Sequence, residues 1–418
     1  MTEERVTTTG WLLLVLGFFL TVVQLLNLLA PAGLLTAIME QTGWSVTQAG
    51  YLLTVMAPVS GIFIFAGSPL MDKLGLAKTA FFGLLLMGVG NLLAVVFNNI
   101  YALQLCARLV LGVGVGAITN VPAVIIAYYF PPKMQSSLQG VRTAIMYTGM
   151  ALAFYIIIPI FRAVGESWQW TLGVFGFVFI ILAFLFLLFG KQKTAAPAAA
   201  AHGGGVSAPE APPVKQESGL KQAAKKKEVW MITIVLFFIL WSFNSYNNFF
   251  ATFLQQVRGL DMTVASSFTG LMPIAGIVSG IVCGAISSAT GRRNLVNAPL
   301  IILMLLGYLG ATLLDPTTSR GIFVACLLVG GFGASGYTIY YCTVPTEWEG
   351  TTPALIGGAF AIFLGIGSTF AFVIPSIFGA LTNAIGMKNA MLWMHLPLVI
   401  SIVVALTMKE TGPGGKKK

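Results

Sequence analysis

Long apolar runs alternate with short polar segments along the whole chain. A run of roughly 18 or more apolar residues is long enough to cross about 30 Å of hydrocarbon as a helix. We therefore predict transmembrane helices at residues 11–36, 46–68, 79–97, 101–126, 138–160, 168–190, 229–254, 264–287, 295–314, 321–343, 353–377 and 387–408.

One polar, lysine-rich stretch divides these spans into two sets of six. It covers residues 191–227, and its bias toward alanine, proline and glycine is typical of a flexible tether. We predict a six-helix bundle over residues 1–190, a cytoplasmic linker over 191–227 and a second six-helix bundle over 228–418. The predicted fold class is an all-α integral membrane protein with twelve spans.

The composition agrees with a protein whose solvent is the lipid bilayer. Hydrophobic residues make up 57% of the chain and charged residues 9%, whereas about a quarter of the residues of a soluble domain are charged. The four cysteines lie inside apolar runs, without the spacing of a disulfide pair or a metal site. We expect no disulfide, no metal and no cofactor, and no catalytic constellation indicates an enzyme.

The net charge of +10 is distributed unevenly between the two sides of the membrane. Among the 23 lysines and arginines, only Arg162, Arg258, Arg320 and Lys388 fall in loops on one side, and Arg108 lies inside a span. An excess of basic residues marks the cytoplasmic side. We therefore expect a multi-pass protein of a bacterial inner membrane with both termini in the cytoplasm. The basic charge then reflects topology, and no nucleic-acid partner is expected.

Two loops at matching positions of the two halves share a pattern. They cover residues 68–78 and 284–293. The pattern Gly-x-Leu-x-Asp-Arg/Lys-x-Gly-x-x-Arg/Lys resembles the signature of the major facilitator superfamily, and the resemblance extends to the span count and the tether. It implies two six-helix bundles related by pseudo-twofold symmetry. This chain has Ser68 in place of a glycine and Ser288 in place of the aspartate, so we expect the second loop to lack an acidic partner.

The charged and glycine residues of these loops form a hypothetical cytoplasmic latch. A carboxylate at a sharp turn accepts hydrogen bonds from helix N-terminal amides and from nearby cations, while glycine permits the tight backbone. Such contacts would hold the cytoplasmic side shut and favour an outward-open state. Alternatively, the basic residues only enforce topology. The latch residues are Asp72, Lys73, Gly75, Lys78, Gly291, Arg292 and Arg293.

Arg108 lies about two turns inside the fourth predicted span. An arginine at mid-membrane costs about 2.5–3.5 kcal/mol on insertion scales, so it persists where it has a use or a partner. Arg108 is followed by Gly112 and Gly116, which share its helical face and let another helix approach closely. The arrangement resembles the superfamily's span-four motif, which implies a role in substrate binding or coupling. The alternative is a structural donor to backbone carbonyls.

The second arginine of the apolar regions, Arg142, enters the fifth span. Two interpretations of Arg142 are open: the side chain binds substrate from the cavity, or it extends to the cytoplasmic interface. All 13 carboxylates lie in loops, in the tether, at termini or at span edges. A cavity with unneutralised guanidinium groups would be positive, and arginine can hold a small anion through two parallel hydrogen bonds.

Polar and aromatic side chains supply a candidate lining for that cavity. In the superfamily, spans one, four, seven and ten surround the cavity, and the resemblance implies the same here. Tyrosine at a span end is otherwise a common interfacial residue, and a buried amide can instead join helices. The candidates are Gln24, Asn27, Asn120, Asn244, Tyr246, Asn247, Tyr337, Tyr340 and Tyr341.

The predicted function is alternating-access secondary transport of a small organic or inorganic anion, of carboxylate type, by exchange or by proton-linked symport. His395, in the last span, is the candidate proton-coupling residue, with packing as the other interpretation. The alternative substrate is a neutral or zwitterionic solute. A third hypothesis, ranked below both, is that the protein is a membrane receptor or scaffold and not a transporter. By analogy with the superfamily we expect a monomer that interacts with its substrate and with lipid.

Overall fold

The computed structural model describes residues 7–190, 219–316, 319–335, 343–348 and 350–412. Every regular element in these ranges is a helix. In chain order the α-helices are α1 (Thr8–Gly33), α2 (Leu35–Thr42), α3 (Val46–Thr54), α4 (Met56–Leu74), α5 (Leu76–Val96), α6 (Tyr101–Ile118), α7 (Val121–Tyr129), α8 (Pro132–Ala163), α9 (Trp168–Phe189), α10 (Gly219–Lys225), α11 (Lys227–Gln256), α12 (Met262–Thr290), α13 (Asn294–Leu313), α14 (Arg320–Ala334), α15 (Pro353–Ala371), α16 (Ile374–Ile385), α17 (Met387–His395) and α18 (Leu398–Thr407). A 3₁₀ turn covers Val344–Glu347.

Ten helical stretches of the described residues are long and apolar enough to cross a membrane. This confirms the predicted all-α membrane class. The predicted span 321–343 begins as α14 and continues into residues outside the described ranges, and the predicted span 353–377 corresponds to α15 and the start of α16. The total of twelve spans therefore stays a prediction.

Several predicted spans are interrupted inside the apolar region. The fourth span divides into α6 and α7 at Thr119 and Asn120, and Pro122 lies in the first turn of α7. The last span divides at Leu396 and Pro397 into α17 and α18. Proline lacks a backbone N–H and clashes with the preceding turn, so it ends a helix and begins the next.

The chain forms two compact units. Unit 1 comprises Met1–Ala201, Asn247–Pro273 and Phe372–Met387, and unit 2 comprises His202–Tyr246, Ile274–Ala371 and Lys388–Lys418. Unit 1 thus contains the described helices of the first half together with two segments from the second half of the sequence. Of the predicted tether, residues 191–218 lie outside the described ranges, and α10 covers part of the remainder.

The core of unit 1 depends on the close approach of α6 to α4. A Cβ atom on Gly112 would lie 2.9 Å from the Met56 carbonyl oxygen, and one on Gly116 would lie 2.5 Å from the Ser60 carbonyl oxygen. Only glycine fits at such backbone contacts. The predicted role of these two glycines in helix approach is confirmed, and it fixes the face of α6 that carries Arg108.

Candidate functional site

Arg108 lies within unit 1 on the glycine face of α6, one turn before Gly112. Its side chain is 3% exposed. On one flank, Gly90 of α5 lies so close to Ala107 and Leu111 that a Cβ atom on it would be 2.9 Å from the backbone of each. The backbone that carries Arg108 is therefore fixed by closely packed helices.

The charged group of Arg108 is not satisfied by the described residues. Neither terminal nitrogen, Nη1 or Nη2, has a hydrogen-bond partner in the described part of the chain. A buried guanidinium normally pairs with a carboxylate or donates to carbonyl oxygens, because an unpaired buried charge is expensive. Within the described residues, the hydrogen-bonding capacity of Nη1 and Nη2 is therefore unused.

Three other buried polar side chains lie in the helices around Arg108. Asn91 lies five residues before the end of α5, Arg108 seven residues after the start of α6, and Thr54 eight residues after the start of α3. Successive spans alternate in direction, so these three positions are roughly 8–12 Å from the same end of unit 1 at a rise of about 1.5 Å per residue. Asn27 of α1 lies deeper, because α2 follows α1 directly and Gln41 of α2 donates to the Glu166 carbonyl in the loop after α8.

These three side chains also lack partners in the part of the chain that the structure describes. Both amide atoms of Asn27 and of Asn91, and the hydroxyl oxygen of Thr54, have no hydrogen bond there. Each residue is at most 3% exposed. Helix α3, which ends at Thr54, packs against both α1 and α6. The arrangement supplies cationic and neutral donors on neighbouring helices, which is the chemistry that binds an oxyanion.

Asn91 and Thr54 are functional candidates that sequence reasoning missed. Each is a polar residue within a long apolar run, and such a residue is indistinguishable by sequence from one that joins two helices. What distinguishes them is that both side chains are buried without a hydrogen-bond partner among the described residues, and only the structure shows this.

The other predicted lining residues of the first half occupy less buried positions. Gln24 on α1 and Arg142 on α8 are half-buried, as is Asn120 at the junction of α6 and α7. Within unit 1, α8 packs against α1, where Gly149 lies against Val22. The structure therefore places Arg108 and Asn27 deep in the helices and leaves Arg142 and Gln24 nearer the surface of the unit.

The predicted candidates of the second half divide between the two units. In unit 2, the Asn244 amide donates to the Leu240 carbonyl at 2.8 Å, and Tyr246 is buried with its ring 4.9 Å from that of Tyr308. Asn247 is buried within unit 1. Tyr337, Tyr340 and Tyr341 lie outside the described residues.

His395 is fully buried at the end of α17 in unit 2. Its ring contacts the Tyr308 ring edge to face, with centroids 4.8 Å apart. Within the described ranges, neither ring nitrogen has a hydrogen-bond partner. The histidine is held by aromatic packing, and it has no carboxylate to receive a proton from it among its described contacts.

The first predicted latch loop has the expected backbone. Gly75, between α4 and α5, has a φ of +80°, which glycine adopts readily. Lys73 and Lys78 are exposed. The side chain of Asp72 lies outside the described residues, so its proposed contacts stay a prediction.

The second loop contradicts the expectation that it lacks an acidic partner. Arg293 donates through Nε and Nη2 to Glu347 at 3.0 and 2.5 Å, and through Nη1 to the Ser287 carbonyl at 2.7 Å. Glu410 accepts hydrogen bonds from the backbone N–H groups of Arg293 and Asn294 at 2.5 and 3.0 Å. That prediction was wrong because the carboxylates come from distant segments and not from the position of Ser288.

Of the two remaining latch residues of this loop, Gly291 is buried and Arg292 lies at the surface. Gly291 has a φ of +62°, so the turn into α13 uses the left-handed region, and Arg292 is exposed. Glu347 also accepts from the Thr411 hydroxyl at 3.1 Å. The loop, the 3₁₀ turn and residues 410–411 are thereby joined within unit 2.

Comparison with known proteins relates this arrangement to transporters. The model of the Major Facilitator Superfamily matches residues 12–348. The chain is 24% identical over 415 residues to a probable sulfoacetate transporter of Cupriavidus necator, with 96% of this chain and 92% of that protein covered. It is 23% identical over 390 residues to the hexuronate transporter of Bacillus subtilis, with 88% and 87% covered.

The solved structures show the same fold at lower sequence identity. A bacterial homolog of the human lysosomal transporter Spinster, solved in an inward-facing and unoccupied conformation, has a TM-score of 0.73 to this chain. The two sequences are 14% identical, and 97% of each chain is covered.

Proposed function

We infer a substrate class for this chain from the premise that it belongs to the Major Facilitator Superfamily and is a multi-pass membrane transporter. We propose that it moves a small organic anion bearing a carboxylate or a similar oxyanion group. Alternating access of one binding site to the two sides of the membrane is the general mode of such folds.

The observation that carries this proposal is the buried, unpartnered guanidinium of Arg108. An anionic group would neutralise the charge and accept two parallel hydrogen bonds from it, which offsets the desolvation of both. Amide groups of Asn27 and Asn91 and the hydroxyl of Thr54 would serve the remaining oxygen atoms of the substrate. The names of two relatives, a probable sulfoacetate transporter and a hexuronate transporter, support an acidic substrate, because both compounds carry a carboxylate.

A paired ligand panel tests the substrate class. The purified protein is heated with sulfoacetate, glucuronate, nitrate, glucose or ethanolamine, and uptake of the stabilising compounds is then measured in liposomes. We expect glucuronate to raise the melting temperature and to be taken up, while glucose, its uncharged counterpart, does neither. Equal stabilisation by glucose would contradict the anion proposal and would favour the neutral-solute alternative.

We propose that transport is coupled either to exchange of a second anion or to symport of a proton. His395 is the candidate proton carrier because it is buried with unoccupied ring nitrogens among the described residues. If His395 carries the proton in symport, an inward proton gradient will no longer stimulate uptake by the His395→Asn variant. Exchange of internal for external substrate will be unchanged in this variant. Stimulation that persists in His395→Asn removes the histidine from the coupling mechanism.

We also propose that both termini face the cytoplasm of a bacterial cell and that the protein acts as a monomer. The excess of lysine and arginine on one side of the predicted spans supports this orientation. In that orientation the Asp72 loop and the Arg293 loop lie at the cytoplasmic face, where they would form the two parts of the latch. The ion pair of Arg293 with Glu347 then gives the second part its carboxylate.

A further inference from the structure

The short helix α10, just before α11, packs against α15 within unit 2. The contact depends on a glycine, because a Cβ atom on Gly358 of α15 would overlap the carbonyl oxygen of Gly219. Ala223, on the next turn of α10, is fully buried. The backbone of α10 therefore rests directly on α15, and a side chain at residue 358 would prevent that contact.

Two tryptophans fix the junction between α10 and α11. The indole N–H of Trp230 donates to the Ala224 carbonyl at 2.8 Å. This carbonyl is one of the last four of α10, and such carbonyls have no partner within their own helix. The ammonium group of Lys226 lies 5.4 Å from the centroid of the Trp348 ring, in a cation–π contact. The orientation of α10 relative to the start of α11 is thus set by specific side-chain contacts.

The junction lies at the end of a helix that is long and apolar enough to cross a membrane. Helix α11 has 30 residues, which extend about 45 Å at a rise of about 1.5 Å per residue, whereas the hydrocarbon core is about 30 Å thick. Its first turn carries Lys227 and Glu228 and therefore lies at the level of the lipid head groups. Trp230, which is 44% exposed, follows at the membrane–water interface, where tryptophan is enriched.

The surface of α10 and of the first turn of α11 is basic and partly apolar. Residues 219–230 contain four lysines and one glutamate. Lys221 and Lys227 are exposed. Leu220, next to Lys221 in the sequence, is 53% exposed. Positive charge beside exposed apolar side chains at the membrane surface complements a phospholipid with a negative head group and apolar acyl chains.

We propose that this surface, which consists of Leu220, Lys221, Lys227 and Trp230 and which we call the α10 surface, binds an anionic phospholipid. The lysines pair with the phosphate of the head group, and the leucine and the tryptophan contact the upper part of the acyl chains. The α10 surface belongs to unit 2 and shares no residue with the proposed site at Arg108, which belongs to unit 1. Because α10 is docked on α15, its lysine is presented at a fixed place, unlike a lysine of a flexible tether.

The test measures lipid binding by the purified full-length protein. Native mass spectrometry in detergent follows a titration with phosphatidylglycerol, and phosphatidylcholine with the same acyl chains is the zwitterionic control. We expect phosphatidylglycerol to bind about tenfold more tightly, because only its head group is negative. Free glycerol 3-phosphate, which lacks the acyl chains, is expected to bind about 100-fold more weakly than the lipid. Equal binding of the two lipids, or equally tight binding of the free phosphate, would overturn the proposal.

Lysine variants then separate this surface from the total charge of the protein. Lys221→Gln is expected to lower the affinity for phosphatidylglycerol about fivefold, and Lys221→Gln with Lys227→Gln about 20-fold, since each lysine near an anionic surface contributes roughly a factor of five. Lys409→Gln removes the same charge from an exposed position after α18 in unit 2 and is expected to change the affinity less than about twofold. Equal losses from Lys221→Gln and Lys409→Gln would contradict a defined site.

Two adjacent glycines of α15 test whether α10 must be docked. Gly358→Ala displaces α10 and is expected to lower the affinity for phosphatidylglycerol about fivefold, whereas a Cβ atom on Gly357 meets nothing within 4 Å, so Gly357→Ala leaves the affinity unchanged. Trp230→Phe removes the hydrogen bond to Ala224 and is expected to lower the affinity about threefold, which covers the case in which Gly358→Ala fails to fold. Unchanged affinity in the folded variants would mean that a flexible basic segment is sufficient, and would overturn the docked site.

These binding measurements use no transported substrate. A negative result for the lipid would leave the proposed transport of an organic anion untouched, and failure of the ligand panel would leave the lipid site untouched.

Discussion

Arg108→Gln will lower the affinity for a carboxylate substrate by about 100-fold or more and will reduce its uptake accordingly. A hydrogen bond to a charged group contributes about 1.5–3 kcal/mol, and glutamine replaces a charged pair of such bonds by one neutral bond at most. Binding is measured by calorimetry and uptake in liposomes, with the anion that stabilises the wild-type protein. Arg108→Lys keeps the charge but loses the two-pronged geometry, so we expect an intermediate loss.

The same variant distinguishes a binding arginine from a structural one. Because Arg108 lacks a hydrogen-bond partner among the described residues, its removal relieves a buried charge, and the ligand-free melting temperature of Arg108→Gln should equal or exceed that of the wild type. A structural donor would give the opposite sign. Arg320→Gln, at the exposed start of α14, is the matched control for loss of a positive charge. Unaltered affinity in Arg108→Gln would refute the proposed anion site.

Much of the fold could be predicted because its determinants are local. The apolar runs predicted the membrane helices, and the spacing of Arg108, Gly112 and Gly116 placed all three on one face of a helix that packs closely on its neighbour. Helix interruptions such as that before Pro122 were not predicted, since the hydrophobic pattern continues through them. The boundaries of a span depend on hydropathy, but its internal breaks depend on single residues.

The partners of the polar residues could not be predicted because they are distant in sequence. Glu347 is 54 residues from Arg293, and Glu410 is 117 residues from it. No local pattern relates these positions. Asn91 and Thr54 differ from Arg293 in that they have no hydrogen-bond partner among the described residues. Their sequence context does not distinguish them, and they become candidates only because packing buries them in this state. The charged residue of the proposed anion site, Arg108, could thus be predicted from the sequence, whereas Asn91 and Thr54 could be identified only from the structure.

The ion pair at the loop between α12 and α13 leads to the second large effect, which is on stability. Arg293→Glu will lower the free energy of unfolding by about 3 kcal/mol, because it removes the partner of a largely buried carboxylate and adds a third negative charge beside Glu347 and Glu410. Exchange of the two residues, Arg293→Glu with Glu347→Arg, restores the opposite charges but not the hydrogen bonds from the new residue 293 to Ser287, so recovery will be partial.

Thermal unfolding of the wild type, both single variants and the double variant measures the coupling between the two residues as a double-mutant cycle. A coupling well above 1 kcal/mol is expected, because the two side chains are only 12% and 16% exposed, whereas a solvent-exposed pair contributes about 0–1 kcal/mol. Arg292→Glu, one residue earlier and exposed, reverses the same charge without breaking that pair. Equal losses from Arg292→Glu and Arg293→Glu would mean that total charge, and not the ion pair with Glu347, stabilises this end of unit 2.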